Sequence, residues 1–244
     1  LVSPDTITYC IDSFENISWF CRMPVYQLFL LGIKKIVGQS EWTAIFPYVV
    51  YIQIFAATIS VLFLYDAAKK ILKKKYLSVA VACVYAVLIA FFGYTENILT
   101  ESLATSLMCV MLWCITQVIE ASSKRLYIII SCAMVLLCIF ERPSFLFLLP
   151  LLAVFFTVFI VWERRWDLIK CVVISFGVCL LVVFAYCKHN EALTGHFMLS
   201  NIAYYNQISI MLDNDMWMNS KYPEISFEAQ QRVKHNEQNE NGLA

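Results

Sequence analysis

Along most of this chain the charged positions fall into short clusters that separate long apolar runs. Uncharged stretches lie at 43–65, 77–95, 102–119, 126–140, 143–162 and 171–187. A helix rises about 1.5 Å per residue and the hydrocarbon core is about 30 Å thick, so about 20 residues cross it. The first stretch meets that length. The stretch 126–140 falls short, but Lys124 and Arg125 at its edge can snorkel towards water. The pattern therefore predicts an all-α membrane protein: a helical bundle of about six spans.

The polar breaks give the orientation. Loop 66–76 holds Lys69, Lys70, Lys73, Lys74 and Lys75; loop 120–125 holds Lys124 and Arg125; loop 163–167 holds Arg164 and Arg165. The alternate short loops carry only Arg142. Basic loops stay in the cytoplasm, which puts both the N-terminal loop and the C-terminal segment outside. Segment 25–37 is apolar, too short to cross and interrupted by Lys34 and Lys35, so it reads as a helix lying in the interface. Three regions result: an external first loop carrying the interfacial helix (1–42), the transmembrane bundle (43–187), and the start of an external polar segment (188–244). The chain is expected to be the front part of a longer protein, with a span before Leu1 and more helices after Ala244.

Composition supports the membrane reading. Hydrophobic residues make up 61% and charged residues 15%, against about 45–50% and about 25% in soluble domains. Mean hydropathy is +0.70. With 18 basic and 18 acidic residues the net charge is zero, which excludes a nucleic-acid binder recruited by bulk charge. Cys83, Cys109, Cys114, Cys132, Cys138, Cys171 and Cys179 sit inside the apolar runs and act there as small hydrophobes. No Cys or His spacing matches a structural zinc site. A disulfide between Cys10 and Cys21 stays open on spacing alone.

Charge near the ends of spans is expensive and usually functional. The candidates are Asp5, Asp12, Glu15 and Arg22 in the first loop, Glu96 before and Glu101 in the start of the third span, and the pair Glu141–Arg142. Each has a plainer role. Glu96 and Glu101 favour a helix N-terminus through its dipole, Asp12 and Glu15 suit a solvated face, Arg22 suits an interfacial anchor, and Glu141–Arg142 suits a plain turn. Asp213-Asn214-Asp215 reads as a polar loop, and Asn16-Ile17-Ser18 as a glycosylation sequon where the host modifies it.

Four segments in order, PDTITY (4–9), RMPVYQLFL (22–30), ILTESL (98–103) and ERPSFLFLLP (141–150), resemble the GT-C integral-membrane glycosyltransferases. The nearest groups are bacterial relatives of dolichyl-phosphate-mannose–protein mannosyltransferase and the lipid A aminoarabinose transferase. The segment TGHFMLSNIAYYNQ (194–207) is similar to the family's external start after the membrane block. Met23 stands where the family commonly has Pro. The resemblance implies transfer of a sugar from a polyprenyl-phosphate donor to a glycan, lipid or protein acceptor on the external face of a bacterial plasma membrane. It implies Asp5 as catalytic base, Arg142 and Arg22 as phosphate clamps, Glu101 orienting substrate hydroxyls or an arginine, and Tyr9 packing near Asp5. It assigns no metal ligand and leaves a divalent cation open. A lipid-linked glycan polymerase, ligase or flippase, a multi-span transporter, and an inactive fragment are the competing readings.

Overall fold

The computed structural model describes residues 9–13, 22–93, 97–98, 100–120 and 123–200, and all structure below belongs to the unit Leu1–Leu199. Among the described residues seven α-helices follow one another: α1 Pro24–Val37, α2 Trp42–Leu72, α3 Lys75–Phe92, α4 Thr100–Glu120, α5 Lys124–Ile139, α6 Leu148–Trp162 and α7 Ile169–Thr194. Short 3-10 turns, Pro143–Phe147 and Trp166–Leu168, lead into α6 and α7. No strand occurs among the described residues. The chain is a helical membrane protein.

Local chemistry sets the helix ends. Pro24 occupies the first turn of α1, where its missing N–H is no loss. Gly38 stops the helix at φ 71°, its N–H donating to the Lys34 carbonyl at 3.0 Å. Lys34 and Lys35 in the last turn face the negative end of the helix dipole. Gly93 and Gly195 end α3 and α7 in the same left-handed conformation. Between α5 and α6 the residue before Pro143 is forced extended, Arg142 at φ −142° and ψ 120°.

The expectation of six spans is corrected to four among the described residues. Trp42–Leu72, Thr100–Glu120, Pro143–Trp162 and Trp166–Thr194 are long and apolar enough to cross. The other two runs are helical but shorter. Gly93 ends α3 after 18 residues, before the run 77–95 is used up, which gives it about 27 Å. Helix α5, with 16 residues, covers about 24 Å, less than the thickness of about 30 Å. At the C-terminal side, α7 continues beyond the apolar run through Thr194.

Helix α4 packs against both α2 and α5 and is the most buried of the four spanning helices. Its buried hydroxyls are largely satisfied within the helix: Ser106 donates to the Ser102 carbonyl (2.9 Å) and Thr116 to that of Trp113 (2.7 Å). One apolar cluster joins Met111, Val118, Ile128, Val135, Leu152 and Phe156 across α4 to α6. A second joins Tyr26, Leu30 and Ile33 of α1 to Ile45 and Val49 of α2, with Tyr9 and Ile98. The spacing of Tyr26, Leu30 and Ile33 lays one face of α1 on the bundle. Five of the apolar-run cysteines, Cys109, Cys114, Cys132, Cys138 and Cys179, are buried; Cys83 is exposed on α3.

Candidate functional site

At one end of the bundle α1 begins, α4 begins and α5 ends. The Val25 N–H donates to the Phe140 carbonyl at 3.1 Å, so the segment after Arg22 lies beside the segment before Arg142. Glu101 sits in the first turn of α4, where a carboxylate suits the helix dipole. Arg142 reaches it across 41 residues of sequence: its Nη1 donates to Glu101 Oε1 at 2.8 Å. The second carboxylate oxygen accepts from Thr100 Oγ1 at 3.4 Å. The side chains are 42% (Arg142) and 28% (Glu101) exposed. The other guanidinium nitrogens of Arg142 make no hydrogen bond among the described residues.

Arg22 forms a separate group with Tyr9. Its Nη1 donates to the Tyr9 hydroxyl at 3.2 Å, and its guanidinium carbon stands 4.9 Å from the centre of the same ring. Tyr9 meets Tyr26 edge to face, 5.1 Å between centroids. Tyr26 is fully buried and accepts a hydrogen bond from Gln53 Nε2 at 3.1 Å. Burial first, and the Glu141 carboxyl second, push the Tyr26 hydroxyl up.

Glu141 adjoins both groups. It is 3% exposed, and among the described residues neither carboxyl oxygen has a hydrogen-bond partner. Burial pushes its pKa up to about 9; the Arg142 charge opposes this and the Glu101 charge adds to it. The group is thus a neutral acid at pH 7, next in sequence to a charged arginine. Ser102 Oγ, also buried, is likewise without a partner.

The structure therefore brings Glu101 and Arg142 into direct contact, and Arg22 and Tyr9 into another. Asp5 lies outside the described residues, as do Glu15, Glu96, Asn16–Ser18, Cys21 and Asp213–Asp215. Asp12 is mostly exposed and pairs with Lys34, which holds its carboxyl below the usual range; this fits the solvated-face reading. Among the described residues no group of three or more His, Cys, Asp or Glu side chains could hold a metal ion.

Three contributors went unassigned in the sequence: Glu141 as a buried acid, and the buried pair Tyr26 and Gln53. Gln53 had a signal, as a lone amide inside the apolar run 43–65. Tyr26 had one too, in the segment RMPVY. Glu141 had one as half of the candidate pair with Arg142, but its burial depends on α1 packing near the α5 end.

The family model for dolichyl-phosphate-mannose-protein mannosyltransferase matches residues 22–189. That segment holds all the paired groups described here except Tyr9 and Asp12. No curated protein and no solved structure matches the chain.

Proposed function

The chain belongs to the dolichyl-phosphate-mannose-protein mannosyltransferase family, whose members are membrane glycosyltransferases, and from that premise we propose that it moves a sugar from a polyprenyl-phosphate donor to an acceptor hydroxyl at the outer face of the membrane. The observation that carries this reading is the part-exposed Arg142 guanidinium. Glu101 holds it at 2.8 Å, it lies next to the uncharged Glu141, and donor N–H groups are left over. A planar cation with spare, fixed donors suits a phosphate.

In the transfer, the bond between the anomeric carbon and the phosphate oxygen breaks, and its electron pair leaves with the phosphate. The acceptor oxygen bonds to the anomeric carbon and loses its proton. Asp5 takes that proton as general base, and the proton passes on to the departing prenyl phosphate or to water. Arg142 stabilises the charge growing on the phosphate, while Glu101 fixes the guanidinium. Arg22, held by Tyr9, adds a second positive charge on the same side. Glu141 stays protonated, which leaves Glu101 to hold Arg142. Apolar helix faces accommodate the prenyl chain.

The test is transfer of labelled sugar from a prenyl-phosphate donor by the full-length protein in proteoliposomes, with membrane lipids and proteins as acceptors. Asp5→Asn is expected to lower turnover by about 10²–10⁴-fold with donor binding retained. Unchanged turnover removes Asp5 as base, and no transfer by the wild type under any acceptor removes the reading.

A further inference from the structure

The opposite end of the same helices carries a second, unassigned feature. Helices α2 and α3 meet at a tight turn, Lys73–Lys74, with Lys69 and Lys75 beside it. Nearby acidic groups are already engaged: Lys70 takes Asp66 at 3.2 Å and reaches Glu120 at 3.9 Å. Lys69, Lys73, Lys74 and Lys75 make no ion pair among the described residues. Lys73 also adopts φ 53°. Among the described residues Arg164, just past the α6 cap, shares this backbone at φ 52°, and at the other helix caps that adopt it the residue is glycine, Gly38, Gly93 and Gly195. Here a side chain is kept where glycine is the unstrained choice.

Directly beneath the turn lies an apolar groove of about 560 Å³ between α2 and α3. Leu72 and Leu77, which flank the lysines, form one end; Leu64, Val84 and Leu88 continue it. Its single hydroxyl, on Tyr85, is engaged with Ser60 at 3.1 Å. From Leu77 to Leu88 the groove follows α3 for about 16 Å, about the depth of one leaflet. Helix α3 packs chiefly on α2, and Val81, Val84 and Val87 are exposed along it.

A ligand that satisfies both parts needs one anionic headgroup and one long apolar chain. We propose that the lysine turn and the groove form a binding site for an anionic phospholipid, with its phosphate among Lys73, Lys74 and Lys75 and an acyl chain along α3. The sugar donor is a different molecule. Glu120, which reaches the lysine end through Lys70, lies about 28 Å along α4 from Glu101 at about 1.5 Å per residue. A phosphate at the lysines is therefore in the leaflet opposite one held at Arg142. The lysine content of this turn puts it on the cytoplasmic side, where membrane lipids are anionic.

The experiment is native mass spectrometry of the full chain, delipidated in detergent and given phosphatidylglycerol, phosphatidylcholine or a polyprenyl phosphate. One phosphatidylglycerol per chain is expected to persist, with phosphatidylcholine retained at least tenfold less. Lys73→Gln, Lys74→Gln and Lys75→Gln together should lower phosphatidylglycerol retention at least tenfold, and Val84→Trp should lower it by filling the groove. Lys73→Gly, which suits the backbone and keeps the turn, should weaken retention with the melting temperature unchanged or raised. Equal retention of the two phospholipids, or retention by the triple variant as in the wild type, overturns the site. Polyprenyl phosphate held as tightly as phosphatidylglycerol overturns the choice of ligand.

Discussion

Helix α4 has a polar cluster at each end, one around Asp66 and one around Glu141. The Asp66 carboxylate takes three donors: Trp113 Nε1 at 2.9 Å, Gln117 Nε2 at 3.3 Å and Lys70 Nζ at 3.2 Å. All of these come from α2 and α4, the pair that forms the centre of the bundle. At the other end Glu141 takes no donor, Ser102 Oγ is unpaired, and Arg142 has one partner with nitrogens to spare. Both clusters combine a carboxylate, a cation and neutral polar groups. A carboxylate whose Oδ2 takes donors from two helices ties those helices together. One buried without partners is a charge the fold avoids by keeping the proton, and capacity remains there for another molecule.

Substitutions at the two ends should separate these roles. The largest effect is expected from Arg142→Ala, which removes the clamp: prenyl-phosphate-sugar turnover should fall by about 10²–10³-fold, while the melting temperature stays near the wild type. Turnover at the wild-type level would place Arg142 with the structural end instead.

Glu141→Gln should preserve turnover at neutral pH and change the pH dependence of stability. In the unfolded chain the group titrates near 4.5, in the folded protein near 9. Between those values the folded chain holds a proton that the unfolded chain has released, so stability falls as pH rises across that window and levels off above it. The neutral amide removes this slope. Thermal unfolding from pH 5 to 9 checks it, and parallel curves for variant and wild type would show that Glu141 is not the group responsible.

Asp66→Ala should do the reverse of Arg142→Ala: a loss of about 1 kcal/mol in stability from the hydrogen bonds to Trp113 and Gln117, with donor affinity unchanged. A drop in donor affinity of the size expected for Arg142→Ala would erase the distinction between the ends. The smallest effect is expected from Lys70→Gln, about 0.5 kcal/mol or less, because its ion pairs are partly solvated. Urea unfolding in detergent resolves that difference from the Asp66 one.

Much of the fold can be read from residue order because the bilayer makes it a local problem. Trp42–Leu72 contains the run 43–65, and Pro24 and Gly38 mark the ends of α1. The length of α3 is less legible: the run 77–95 looks long enough, but Gly93 ends the helix before the run does, whereas the shortness of α5 already shows in the run 126–140. Of the site, the Glu101–Arg142 contact was suggested by the order of family-like segments, not by spacing. The Asp66 cluster was missed because its members stand 47 and 51 residues apart, and an aspartate beside a lysine-rich loop reads as an ordinary helix-end charge. Glu141 looks like a residue of an exposed turn until α1 is placed near it.

The bond from the Val25 N–H to the Phe140 carbonyl gives the arrangement a particular tolerance to mutation. Both atoms belong to the main chain, so every side-chain exchange at either position leaves donor and acceptor in place. Proline at position 25 is the one natural replacement that deletes the donor. The alignment of the short helix with the arginine turn is therefore insulated from drift in the residues that make it, and side chains on both sides can diversify around a fixed register.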